Sequence, residues 1–255
     1  MELLANNYLK VCNALKQFYH QMLLKLSSCD LCGEACHHYL LLCQNCFADL
    51  PRFNTEVIQG DLLNWPAVNQ ILPKVYFDHL ICLAPYDTPY KQWLSQFKYN
   101  GRFDIAKLLA MLLAEHYQLV IKQHTHLQAE LIVSVPLHIT KWQQRGFNQA
   151  HLLADILSKE LAKEGIEQHI IPYDNKALTR NKSTSSQVGK SGVLRRKSLR
   201  NTFNVQFSQT TAPEHVLLID DVVTTGATAS EISHCLKQAG VKRVTVLALC
   251  LSLPL

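Results

Sequence analysis

The stretch VLLIDDVVTTGAT, residues 216–228, joins an apolar run to two adjacent aspartates and then to a turn with one glycine and three threonines. The apolar run predicts a buried strand over 215–220, followed by a helix that begins at Thr228. In α/β proteins, ligands bind at the carboxyl ends of parallel strands. Helix N-termini bind anions through free N–H groups and the helix dipole. The stretch therefore predicts hydroxyl acceptors at Asp220 and Asp221 beside a phosphate cradle over Thr224–Thr228, and a sugar phosphate with free 2′ and 3′ hydroxyls would fit both halves.

Apolar periodicity predicts the elements around this stretch. We expect helices over 3–26, 103–121, 147–165 and 228–239, strands over 131–136, 215–220 and 241–253, and an irregular segment over 51–85. The first helix has one apolar stripe, which indicates packing against the rest of the protein or, as the alternative, a membrane surface. Apolar strands that alternate with helices predict an α/β fold, with a parallel sheet covered on both faces.

Composition narrows the class of protein. The chain has 255 residues, nine cysteines and a formal net charge of +5, a mild basic bias that permits a phosphate-bearing partner. The start, MELLANNYLK, lacks the apolar region of a signal peptide, and no run reaches the ~18 apolar residues of a membrane span. We therefore expect a cytoplasmic protein whose cysteines are metal ligands or core residues rather than disulfides.

Four of the cysteines have the spacing of a metal site. Cys29-x2-Cys32 is followed after ten residues by Cys43-x2-Cys46, and two such pairs suit tetrahedral zinc because each turn presents two thiolates. A site of four thiolates would be closed and structural. Two alternatives stay open: the cysteines are paired by chance, or neighbours in the intervening loop compete as ligands. Those neighbours are Cys36, His37 and His38.

Basic residues gather in three further segments. In SVPLHITKWQQRGFNQA, residues 134–150, a strand leads to the predicted third helix, and Lys141 and Arg145 are the candidate cations. A cation at a helix start is unfavourable unless it meets an anion, so we expect Arg145 to bind one rather than to be a plain surface charge. Residues 176–200 hold eight Lys or Arg and no acid, which indicates a solvated loop, a lid over a pyrophosphate-bearing site or contacts to a nucleic-acid backbone. The third segment, FKYNGR over 97–102, is a polar turn with aromatic residues on both sides of Lys98.

The opening stretch resembles the phosphoribosyl pyrophosphate (PRPP) motif of type I phosphoribosyltransferases. The resemblance implies that Asp220 and Asp221 hold the ribose hydroxyls, directly or through a metal-bound water, and act in catalysis. It implies that Mg²⁺ accompanies PRPP and that the loop holds the 5-phosphate; the loop residues are Thr224, Thr225, Gly226, Ala227 and Thr228. Purine-salvage members carry an aspartate where Thr224 stands here, so this chain lacks their acid/base group. Orotate-type loops are more similar, but their lysine-rich mobile loop has no clear counterpart.

Taken together, the motifs resemble the ComF family. The family order is a four-cysteine module, FKYNGR, VPLH, RGFNQ, R-x3-T-x2-Q and DDVVTTGAT, and it is met here from Cys29 to the C-terminus, with Arg180, Thr184 and Gln187 in the fifth motif. The resemblance implies a type I phosphoribosyltransferase-like sheet flanked by helices, with a small N-terminal zinc module. It also implies a role in natural transformation, in which the protein handles single-stranded DNA beside a DNA-translocating helicase.

These observations lead to one organisation and three candidate functions. We expect an N-terminal helix over 1–28, a zinc module over 29–50, a connecting or hood region over 51–125 and the phosphoribosyltransferase-like domain over 126–255. The first function is a DNA-uptake accessory that binds single-stranded DNA and PRPP; the alternatives are an active phosphoribosyltransferase with an unknown acceptor, and a PRPP-sensing regulator. Pyrophosphate would bind Lys141 and Arg145. The candidate nucleic-acid contacts are Lys98, Arg102, Arg180, Lys182, Arg195 and Arg196.

Overall fold

The structure, a computed structural model, describes residues 27–36, 41–72, 74–163, 170–180 and 202–253. The predicted helix over 3–26 lies outside these residues. So do His37, His38, Lys182, Thr184, Gln187, Arg195 and Arg196, which the sequence analysis named. The chain forms two compact units, residues 1–51 and 52–255.

The described part of the first unit is short and built around cysteines. Its helix α1 is Gln44–Ala48, and Cys43 caps it through a sulfur that accepts from the backbone N–H of Cys46. Gly33 has a φ of 80°, a left-handed conformation that suits a tight turn after Cys32.

The second unit contains a parallel sheet flanked by helices, as the sequence analysis predicted. The elements in chain order are α2 Pro66–Ile71, β1 His79–Pro85, α3 Tyr90–Tyr99, α4 Phe103–Gln123, β2 Leu131–Ser134, α5 Ile139–Arg145, α6 Gln149–Lys163, β3 Leu178–Arg180, β4 Phe203–Val205, β5 His215–Val223, α7 Ala227–Gln238 and β6 Arg243–Leu251. Four strands form the sheet in the order β1-β6-β5-β2, with every neighbouring pair parallel. Strands β3 and β4 form a separate two-stranded antiparallel sheet.

Alternate strand residues build the two faces of the core. Val216 and Leu218 of β5 belong to one apolar cluster with Ile232 and Leu236 of α7. Because successive side chains of a strand point to opposite faces, the equally buried Leu217 faces the other layer. In that layer α4 and α6 pack against each other, α4 contacts β1 and β6, and α6 contacts β2 and β5.

Two sequence predictions about strands were wrong. The segment 51–85 is not irregular throughout, because β1 pairs with β6 from His79 to Pro85. The β1 sequence, HLICLAP, is short and apolar, so its pairing with β6 rather than its periodicity identifies it as a strand. Strand β5 continues past Asp220 to Val223 because β6 supplies partners as far as Leu251. None of the helices in the described ranges has the length and apolar character to cross a bilayer.

Candidate functional site

The acid pair lies where β5 loses one of its neighbours. Strand β2 pairs with β5 only as far as Ser134 opposite Ile219, whereas β6 accompanies β5 to its end. Asp220 and Asp221 follow Ile219 directly, so they border the crevice beyond the end of β2. Strand alternation places Asp220 on the α7 side of the sheet and Asp221 on the opposite side.

Asp220 and the loop after β5 line one pocket. The pocket is small, and its lining consists of Asp220, Val222, Val223, Thr224, Thr225, Gly226, Ala227, Thr228 and Ala229. The structure thus brings together Asp220 and all five residues of the predicted phosphate cradle. The loop leads into the N-terminus of α7, whose N–H groups and dipole favour an anion.

Gly226 is required by the shape of this loop. Its φ is +64°, and a Cβ atom there would lie 3.1 Å from Cδ2 of Leu72. Any other residue would have to adopt the left-handed conformation and push against a side chain of the core. The glycine therefore serves both the turn and the close packing beneath the pocket.

Asp220 keeps its proton to a higher pH than an ordinary aspartate. Burial and the adjacent charge of Asp221 raise the pKa of Asp220 to about 7, although the Asp221 N–H, Lys98 and Lys141 act in the opposite direction. That N–H donates to Oδ1 of Asp220 at 2.8 Å. A ligand that donates hydroxyl groups, or one that brings a cation, would stabilise the charged form of this carboxylate.

Lys98 forms an ion pair with Asp221, one of the two adjacent acids. Its Nζ lies 2.7 Å from Oδ2 of Asp221, and the two side chains are only 15% and 16% exposed. Lys98 is one of the nucleic-acid contacts predicted from the sequence. In the structure its ammonium pairs with Asp221, a pairing that residues so far apart in sequence do not reveal.

The two candidate pyrophosphate ligands, Lys141 and Arg145, both lie on α5. Desolvation and the charge of Arg145 lower the pKa of Lys141, whereas Asp221 raises it, so Lys141 is within electrostatic reach of both. Arg145 donates through Nη1 to Oε1 of Gln149 at 3.1 Å and through Nη2 to the hydroxyl of Tyr99 at 3.0 Å.

The helix-start argument for Arg145 was wrong. Arg145 is the last residue of α5, and Gly146 ends that helix in the left-handed conformation. A cation is favourable at a helix C-terminus, so no helix-start repulsion requires an anion. What favours anion binding is the position of Arg145 beside Lys141.

The RGFNQ motif also holds the β2–α5 connection in place. Asn148 donates through Nδ2 to the carbonyl of Val135 at 3.0 Å, and its Oδ1 accepts from the N–H of Ala150 at 3.1 Å. Sequence reasoning had assigned no role to Asn148 or to the buried Gln149, although both lie in a quoted motif. They position the segment that carries Lys141 and Arg145.

The other described nucleic-acid candidates are engaged within the protein. Arg102 forms an ion pair with Asp104, with Nη2 2.8 Å from Oδ2, and donates to Gln96 at 3.2 Å. Arg180 lies at the end of β3 with its guanidinium carbon 5.4 Å from the centroid of the Phe203 ring, and desolvation lowers its pKa.

The predicted zinc ligands come together in the first unit. The sulfurs of Cys29, Cys32, Cys43 and Cys46 all lie within 4.8 Å of one another, and those of Cys32 and Cys43 are 3.6 Å apart. Tetrahedral zinc with bonds of ~2.3 Å needs sulfurs roughly 3.8 Å apart, so the four residues fit the ion. Among the described residues Cys36 is not part of this cluster.

The pKa values of the clustered thiols are shifted in opposite directions. Burial raises the pKa of Cys29, but hydrogen bonds from backbone groups and from Cys32 lower it to about 6. The Cys32 sulfur, then burial and the sulfurs of Cys43 and Cys29, raise the pKa of Cys46. Four thiolates at this spacing therefore need a cation between them, and a bound Zn²⁺ would deprotonate them and close the site.

The chain is similar to several known proteins. A family model described as a phosphoribosyl transferase domain matches residues 137–252. DNA utilization protein YhgH of Escherichia coli O157:H7 is 33% identical over 88% of this chain and 90% of its own length. Competence protein F of Haemophilus influenzae is 32% identical over 86% of this chain and 82% of its own length. Among solved structures, glutamine PRPP amidotransferase from B. subtilis is 20% identical with a TM-score of 0.34, over 59% of this chain and 29% of that one.

Proposed function

The chain belongs to the ComF family and carries a phosphoribosyltransferase-like domain, and on that basis we propose that it is an accessory protein of natural transformation. In this proposal it acts in the cytoplasm, binds incoming single-stranded DNA and binds PRPP. The names of its relatives, which refer to DNA utilization and competence, support the DNA-related role. A DNA-translocating helicase is the expected protein partner.

The observation that carries the PRPP part is the shared pocket of Asp220 and the loop over Thr224–Thr228. The loop would bind the 5-phosphate through its N–H groups and hydroxyls, at the positive end of the α7 dipole. The ribose hydroxyls would donate to the carboxylates of Asp220 and Asp221. Lys141 and Arg145 would bind the pyrophosphate through charge-assisted hydrogen bonds.

The two metals have different parts in the proposal. Zinc at the four cysteines would stabilise the first unit without joining the chemistry. Mg²⁺ would accompany PRPP, because the oxygen ligands of Asp220 and Asp221 are the kind it prefers. Lys98, at 2.7 Å from Asp221, would offset part of the negative charge of the acid pair before PRPP binds.

The alternative functions use the same pocket. In an active transferase, the bond between C1 and pyrophosphate breaks as an acceptor attacks C1, and the carboxylates of Asp220 and Asp221 stabilise the positive charge that develops on the ribose. In a PRPP sensor, the pocket binds PRPP and the bond between C1 and pyrophosphate stays intact. Release of pyrophosphate when a base or amine is offered would support the transferase over the sensor.

Calorimetric titration of the zinc-loaded protein with PRPP and Mg²⁺ tests the pocket. We expect micromolar binding that is lost in Asp220→Asn/Asp221→Asn and kept in Asp155→Asn. Asp155 is a suitable control because it forms an exposed ion pair with Lys159 on α6, at 2.6 Å. Absence of binding by the wild-type protein would refute the PRPP proposal.

Titration of a fluorescent oligothymidine against the protein at several salt concentrations tests DNA binding. Cations that neutralise phosphates release counterions, so the logarithm of the affinity should fall with that of the salt concentration by about 0.7 per contacted phosphate. Binding that is independent of salt, or no binding at low salt, would refute this part of the proposal.

A further inference from the structure

Three aromatic side chains are exposed on α3, α4 and α5, and α5 also carries Lys141 and Arg145. Tyr99 at the end of α3 is 69% exposed, Phe103 at the start of α4 is 53% exposed and Trp142 on α5 is 51% exposed. Large aromatic surfaces left in water commonly mark a binding site. We name Tyr99, Trp142 and Arg145 the platform.

Arg145 and Tyr99 form a fixed stack within the platform. The guanidinium carbon of Arg145 lies 5.0 Å from the centroid of the Tyr99 ring. The hydroxyl of Tyr99 and the side chain of Gln149 each accept a hydrogen bond from this guanidinium, which limits its rotation. Gln149 is itself 1% exposed, so the stack is anchored to the core and its planar groups are ordered in advance.

Contacting rings connect the segments that carry the platform. Phe147, two residues after Arg145, has its ring centroid 5.2 Å from that of Phe97 and 4.8 Å from that of Phe103. Phe97, two residues before Tyr99, is fully buried. These contacts join the FKYNGR and RGFNQ segments, so the platform is assembled from both motifs.

Charge and shape together select the occupant. Trp142 lies between two cations on α5, Lys141 one residue before it and Arg145 three residues after it. Alternation of cations and exposed rings matches single-stranded nucleic acid, in which negative phosphates alternate with flat bases. A duplex hides its base faces in the stack and would not engage the rings.

We propose that the platform binds the bases of single-stranded nucleic acid by stacking on Tyr99 and Trp142, while Lys141 and Arg145 bind its phosphates. This rests on the single-stranded DNA binding of the proposed function and assigns it to a site. Because Lys141 and Arg145 are also the proposed pyrophosphate ligands, the strand and PRPP would compete for the same cations.

Fluorescence anisotropy with the zinc-loaded full-length protein tests the platform. The probes are a labelled oligothymidine of 20 nucleotides, a labelled abasic strand with the same number of phosphates, and a labelled duplex of the same length. We expect the oligothymidine to bind at least about tenfold more tightly than the abasic strand, because stacking on aromatic rings contributes at every base.

The variants separate stacking from charge. Trp142→Ala should weaken oligothymidine binding about five- to hundredfold and should hardly change binding of the abasic strand. Tyr99→Ala should weaken oligothymidine binding by a similar factor and, because Tyr99 also holds the guanidinium of Arg145, should weaken binding of the abasic strand to a smaller extent. Tyr99→Phe keeps the ring and should retain most of the affinity. The matched control is Tyr76→Ala, since Tyr76 is 52% exposed but contacts His234; its effect should stay below about twofold.

Saturating PRPP with Mg²⁺ should weaken oligothymidine binding by the wild-type protein and leave Asp220→Asn/Asp221→Asn unaffected. Four outcomes would overturn the platform: equal affinity for the thymidine and abasic strands, duplex affinity equal to that of the single strand, unchanged binding by Trp142→Ala and Tyr99→Ala, or no effect of PRPP in a protein that binds PRPP. If the wild-type protein binds none of the probes, the proposed DNA function fails together with the platform; if it binds them all through other residues, only the platform fails.

Discussion

The substitution Asp220→Asn should make the protein more stable while removing a proposed PRPP ligand. The pKa of Asp220 is raised from 3.8 to about 7. Ionisation of this carboxyl group therefore costs more free energy in the folded protein than in the unfolded chain. A shift of about 3 units corresponds to roughly 4 kcal/mol as an upper limit. The cost is absent below pH 3.8, grows as the pH rises, and is complete above about pH 7. Asparagine cannot ionise, and its Oδ1 still accepts the hydrogen bond from the N–H of Asp221.

Thermal unfolding without added Mg²⁺ measures this effect. At pH 8 we expect Asp220→Asn to unfold about 5–15 °C above the wild-type protein. Its advantage in free energy should be about 2 kcal/mol larger at pH 8 than at pH 5.5, because part of the cost is already present at the lower pH.

Lys98→Gln serves as the matched control, with the opposite sign. Removal of the ammonium leaves two adjacent carboxylates without their cation, so this variant should lose stability at pH 8. Its loss should be smaller in the Asp220→Asn background, because one of the two carboxylates is gone. Equal losses in the two backgrounds, or an advantage of Asp220→Asn that does not change with pH, would refute the electrostatic coupling at this site.

The remaining predictions concern the zinc module, the loop and the pH range of the fold. Metal analysis should find one zinc ion per chain, lost in Cys43→Ser but kept in Cys235→Ser; retention in both variants would contradict the assignment of the ligands. Gly226→Ala should lower the stability by about 1–2 kcal/mol and abolish PRPP binding in calorimetry, and normal binding would show that the left-handed turn is dispensable. Burial lowers the pKa of both His116 and His215 to about 4, so each takes up its proton more readily in the unfolded chain. The contribution of each histidine to the free energy of unfolding should therefore fall as the pH drops below about 6.5 and level off below about 4, by at most ~3 kcal/mol, opposite in sign to the contribution of Asp220. Urea unfolding of the wild-type protein and of a histidine variant at several pH values isolates this contribution. His116→Gln should flatten this decline, and an identical pH profile for the variant would contradict the assignment to His116.

The sequence was sufficient to predict the features whose residues are close together in the chain. The acid pair, the loop with Gly226 and the cysteine pairs each lie within a short segment, so their spacing predicted the pocket lining and the four-sulfur cluster. Apolar periodicity likewise predicted the three longest helices of the described residues, α4, α6 and α7, and three of the four parallel strands, β2, β5 and β6. It missed β1, because a short apolar run becomes a recognisable strand only when β6 pairs with it.

Contacts between distant segments were decided only by the tertiary structure. Lys98 reads as one of many cations in the sequence, yet the packing of α3 places its ammonium on Asp221. Arg145 was expected at a helix start and instead ends α5, where Tyr99 and Gln149 hold its guanidinium. Charge, hydrogen bonding and stacking act through space over a few ångströms, so a sequence that names the right residue types cannot by itself say which of them meet.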